Sequence, residues 1–62
     1  MTEEEKVKIA LTAIDKGLSY EELYYSDFMY GREDKTDEVF EYVVEARDEG
    51  LTDFYKKYEK YL

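Results

Sequence analysis

The chain has 62 residues, 44% hydrophobic and 42% charged, with a net charge of −8, which describes one small acidic domain of soluble, globular composition. It has no cysteine and no histidine, so disulfides, thiolate or imidazole metal sites and the usual nucleophile–base pairs are excluded, and helix packing must supply the stability. The acidity also disfavours nucleic acid and anionic membrane as direct partners.

The predicted elements are four helices, at about 3–16, 20–30, 37–49 and 53–62, paired as two αα-hairpins in an all-α domain. The first opens on Thr2 with Glu5 three positions on, a capping box in which hydroxyl and carboxylate satisfy each other's backbone N–H groups. Its apolar stripe is Val7, Ala10, Leu11 and Ile14, with Ile9 and Ala13 bordering a second, and Gly17 stands where a helix ends in a left-handed residue. Ser19 with Glu22 is a second capping box. The helix it opens carries Tyr20, Leu23, Tyr24, Phe28 and Tyr30 on one broad side, and Asp27 interrupts that side. Ser26 or Asp27 recapping a bent last turn is the expected resolution, since short polar side chains compete for helix carbonyls. Tyr25 and Met29 fall one turn apart on the opposite side.

Thr36 is the expected cap of the third helix, whose core stripe is Val39, Phe40, Val43 and Val44. Asp37, Glu38, Glu41, Glu45, Asp48 and Glu49 occupy one arc of about 120° on its other side. Like charges at this spacing repel mildly, so the arc is read either as a solvated face or as a mimic of a phosphate track. Thr52 is the expected cap of the fourth helix, with Phe54, Tyr55, Tyr58, Tyr61 and Leu62 on one side and Lys56, Lys57 and Lys60 on the other. Residues 19–49 hold eleven acids and three bases, which accounts for the whole net charge.

Laying Ala13–Ser19 over Ala46–Thr52 aligns two helix–Gly-Leu-Ser/Thr–helix segments and also places Tyr25 over Tyr58. One αα-turn used twice accounts for this weak repeat. Ala13, Gly17, Leu18 and Leu23 also fit the spacing of half a helix-turn-helix, and over about twenty residues the first turn resembles that DNA-binding motif. The segment in the recognition position, Tyr20–Phe28, has no lysine or arginine, which argues against contact with phosphates.

No stretch approaches a membrane span, and the acidic start Met1-Thr2-Glu3-Glu4-Glu5 is unlike a signal peptide, so a cytoplasmic protein is expected. Fourteen residue types suffice for the chain: Cys, His, Trp, Pro, Asn and Gln are all missing, although average usage would place about three prolines alone. Such omissions, with explicit caps and glycine at helix ends, are regularities of a designed or redesigned mini-protein. No enzymatic activity, cofactor or metal site is expected. The expected function is protein binding through surplus aromatic surface, with Tyr25, Met29 and Tyr42 as contact residues. The alternative is a natural, phage-like acidic inhibitor that imitates nucleic acid through the arc of the third helix.

Overall fold

A computed structural model describes residues 1–62. The chain is all-α and has no strand. Four helices run α1 Glu3–Lys16, α2 Tyr20–Tyr24, α3 Thr36–Glu49 and α4 Leu51–Lys57, with 3-10 turns at Asp27–Met29, Glu33–Lys35 and Glu59–Tyr61.

The start of α1 is as expected: the Thr2 hydroxyl accepts from the Glu5 N–H at 3.2 Å, and the Thr2 N–H donates to the Glu5 carboxylate at 3.1 Å. At its end Gly17 adopts φ 68°, ψ 33°, the left-handed conformation that costs glycine nothing. The Leu18 N–H then reaches back to the Ala13 carbonyl and the Gly17 N–H to that of Ile14, which closes the last turn. The Ser19–Glu22 box opens α2 in the same way as Thr2–Glu5 opens α1.

α1 and α3 form the principal packed pair, and α2 and α4 both lie against α3. Ala10 and Ala13 sit in their interface, where small side chains let two helices approach closely. The main core joins them with Ile9, Leu23, Met29, Val39 and Val43, and a second core joins Val7, Ala46 and Phe54 beneath α4. The accessible surface is 4136 Å², close to the ~4,200 Å² that size scaling gives for a folded chain of this mass.

Four expected boundaries are corrected. The second helix stops at Tyr24 rather than 30, because Ser26 takes an extended backbone (φ −78°, ψ 160°) and its hydroxyl donates to the Leu23 carbonyl at 2.6 Å. Thr36 does not cap α3: it is fully buried and its hydroxyl donates to the Glu33 carbonyl at 2.7 Å, closing the preceding 3-10 turn. Thr52 does not cap α4, which begins at Leu51 directly after Gly50 with no side-chain cap. Gly50 has φ 94° and ψ 148°, a region open essentially to glycine, so the chain passes from α3 to α4 across a single residue. The two Gly-Leu-hydroxyl segments therefore have different backbones. The fourth helix also ends early, at Lys57, and tightens into the 3-10 turn that carries Tyr61 to α1.

These differences separate two hydroxyls that are equivalent in sequence. Ser19→Ala is expected to cost about 0.5–2 kcal/mol, the usual effect of losing a cap, and Thr52→Ala less than about 0.5 kcal/mol. Urea denaturation midpoints check this, and equal shifts for the two variants would refute the assigned caps.

Candidate functional site

Of the three expected contact residues, Tyr25 is 82% exposed. Met29 is fully buried among Leu23, Val39 and Val43, so its expected place beside Tyr25 on an outer face is corrected. The break at Ser26 ends the helical phase that would have stacked them. Tyr42 is half-buried, and its hydroxyl donates to Glu3 at 2.8 Å.

The expected acidic arc is partly taken up by the chain itself. Glu38 pairs with Lys6 at 2.8 Å and with Lys35 at 3.4 Å. Glu45 accepts from Lys57 and from the Tyr58 hydroxyl, Glu49 lies 3.6 Å from Lys57, and Asp37 accepts from the Tyr20 hydroxyl. The carboxylates of Glu41 and Asp48 have no such partner.

Two carboxylate–tyrosine clusters close the side of the molecule where α1, α3 and α4 meet. The Tyr42 and Tyr61 hydroxyls converge on Glu3. Tyr58 lies between them, edge-on to Tyr42 at 5.5 Å and packed on Phe54 at 4.7 Å. The donated hydrogen bonds, that of Tyr61 foremost, hold the Glu3 carboxyl below its ordinary value, and the Lys57 ammonium does the same for Glu45. Burial, and then the hydrogen bonds to Glu3 and Glu45, push the Tyr42 and Tyr58 hydroxyls well above theirs. Tyr20 and Tyr61 are raised chiefly by donating to Asp37 and Glu3.

These shifts set a stability window with two edges. A tyrosine whose folded value lies above 10 stabilises fully below pH 10, and that contribution is lost as pH rises, because the unfolded chain deprotonates first. A carboxyl held below 4.5 stabilises above pH 4.5, and its contribution is lost as pH falls through the folded value. Melting temperature is expected to be flat between these edges and to fall outside both. In an alkaline titration of tyrosinate absorbance, Tyr20, Tyr42, Tyr58 and Tyr61 are expected to titrate above pH 10 together with loss of helix. Titration of all eight tyrosines at pH 10 with helix retained would refute the clusters.

The surface on the α2 side of α3 is of another kind. Tyr20 is 38% exposed and packs edge-on against Phe40 at 5.5 Å, while Tyr24 and Tyr25 meet edge-to-face at 5.0 Å. Two shallow grooves share Tyr20. One, of about 390 Å³, is lined by Tyr20, Asp37, Phe40, Glu41 and Val44; the other, of about 320 Å³, by Tyr20, Glu21, Tyr24 and Tyr25. The result is a continuous aromatic face with carboxylates around it. Of the expected core stripe of the third helix, Phe40 packs partly buried against the core while Val44 is 43% exposed. Tyr20 and Tyr24 on the broad side of the second helix are also exposed, because a helical wheel gives the apolar side of a helix without saying how much of it a neighbour covers. Their visible signal in the sequence is the surplus of aromatic residues.

No helix is long and apolar enough to cross a membrane. Comparison with protein-family models, with curated proteins and with solved structures gives no match.

Proposed function

We propose that this chain is a protein-binding module without enzymatic activity, and that it meets its partner through the aromatic face of Tyr20, Tyr24, Tyr25, Phe40 and Val44. The observation that carries this reading is the pair of grooves sharing Tyr20, with exposed tyrosines on both α2 and its end. Tyrosine offers large amphipathic contact area for the loss of few rotatable bonds, and contiguous apolar surface on a small domain is a mark of interaction sites. The absence of histidine and cysteine from the sequence supports the non-enzymatic part.

The reading applies to a designed scaffold and to a natural protein alike. Two complete capping boxes and the omission of six residue types support a rule-written sequence, whereas the five-residue α2 and three 3-10 turns are irregularities that idealised backbones avoid. Phosphate mimicry by α3 has less support, since Asp37, Glu38, Glu45 and Glu49 each hold a partner within the chain.

The test is selection of dodecapeptides from a random display library on the immobilised protein. Tyr25→Ser and Val44→Thr each alter one groove at an exposed position. The enriched peptides are expected to bind these variants at least about ten-fold more weakly, at unchanged melting temperature. Peptides indifferent to both changes would move the interface elsewhere and end the proposal.

A further inference from the structure

We infer that the occupant of this face is an arginine-bearing segment of a partner protein, an inference that rests on the aromatic face being the interface. Charge complementarity carries it. The face is built entirely from residues 20–44, within the segment that holds eleven acids against three bases. Two of those bases are committed elsewhere: Arg32 pairs with Glu5 and donates to the Phe28 carbonyl, and Lys35 pairs with Glu38. The third, Arg47, places its guanidinium 5.7 Å from the centre of the Phe40 ring.

The carboxylates that line the grooves, Glu21, Asp37 and Glu41, form no ion pair within the chain, in contrast to Glu38, Glu45 and Glu49. Asp37 receives the Tyr20 hydroxyl on Oδ1, and its second oxygen retains acceptor capacity. A partner that covered this face without bringing cations would strip water from unpaired carboxylates, which is costly; one that brought carboxylates would be repelled.

Arginine fits better than lysine, because its planar fork matches a carboxylate with two parallel hydrogen bonds and also stacks on aromatic faces. Tyr24 and Tyr25 offer such faces next to Glu21, and Arg47 on Phe40 is the same contact made within the chain. A second copy of the chain is disfavoured as occupant, since it would bring its own net charge of −8.

The probes are fluorescein-labelled dodecapeptides of alternating Arg and Leu, Lys and Leu, Ser and Leu, and Glu and Leu, titrated against the intact protein by anisotropy. The arginine peptide is expected to bind tightest and to weaken as salt is raised. Glu21→Gln with Glu41→Gln should weaken it by about ten-fold or more, whereas Asp15→Asn with Glu59→Gln, an equal change in net charge away from the face, should change it by less than about two-fold. Equal losses in the two double variants would reduce the effect to net charge and overturn the inference. Equal or tighter binding of the serine or glutamate peptide, still lost on Tyr25→Ser, would overturn the cationic occupant while leaving the aromatic face standing. Binding of every peptide indifferent to Tyr25→Ser would overturn both, and concentration-dependent self-association lost in that variant would replace the partner with a second copy.

Discussion

Met29→Ala is expected to destabilise the fold by about 2–5 kcal/mol, and Tyr25→Ala by less than about 0.5 kcal/mol, although the two residues stand one helical turn apart in sequence. Met29 is fully buried and touches the core that joins α1, α2 and α3, so truncation removes apolar contacts and leaves a cavity that its neighbours fill only in part. Tyr25 is 82% exposed and gives up mainly its edge contact with Tyr24. At roughly 0.05–0.15 kcal/mol per residue, a chain of this length has a total stability of only a few kcal/mol, so Met29→Ala should be largely unfolded at room temperature. Urea titration followed by circular dichroism checks both variants. A folded Met29→Ala protein with an unchanged midpoint would mean that the segment after Ser26 packs differently.

How far the sequence could be read is clearest at these same positions. Thr2, Glu5, Gly17, Ser19 and Glu22 act as their types and spacing predict, because capping is a local matter of one hydroxyl and the N–H three residues on. The end of α2 was legible only as a conflict at Ser26 and Asp27. Once the Ser26 hydroxyl takes the Leu23 carbonyl, a constant 100° step no longer describes the segment that follows, and Met29 moves from the outer side into the core. Thr52 failed for a different reason. Its Gly-Leu-hydroxyl setting matches that of Ser19, yet Gly50 takes a different backbone, and α4 directs Phe54 toward Val7 and Ala46, a contact no local pattern contains.

The acidic arc shows the same limit from the electrostatic side. A wheel places six carboxylates on one arc of α3, and four of them hold partners; apart from Lys35, which meets Glu38 locally at i,i+3, these partners, Lys6, Lys57, Tyr20 and Tyr58, reach α3 only through tertiary packing. The tyrosine surplus was legible as a number and not as two roles. Tyr42, Tyr58 and Tyr61 are drawn into the clusters around Glu3 and Glu45, while Tyr24 and Tyr25 are left on the surface. Tyr20 serves both, with its hydroxyl on Asp37 and its ring in the two grooves.

Phe54→Ala is expected to be at least as damaging as Met29→Ala, at about 3–5 kcal/mol, whereas Tyr55→Ala beside it should cost less than about 1 kcal/mol. The sequence places both rings on one apolar side of the fourth helix. In the fold Phe54 is fully buried against Val7 and Ala46, while Tyr55 is 46% exposed. Phe54 also supports the ring of Tyr58, which in turn donates to Glu45 and packs on Tyr42, so its removal undermines the carboxylate–tyrosine clusters as well as the second core. The milder Phe54→Leu keeps an apolar side chain there and allows that link to be followed in a folded protein. With less cover over Tyr58, the burial that raises its hydroxyl is reduced, so the alkaline edge of the stability window should move toward pH 10 while the acidic edge moves less. Tyrosinate absorbance recorded alongside helix content would show the shift. An alkaline edge identical to that of the wild-type chain would break the connection drawn here between the second core and the tyrosine clusters.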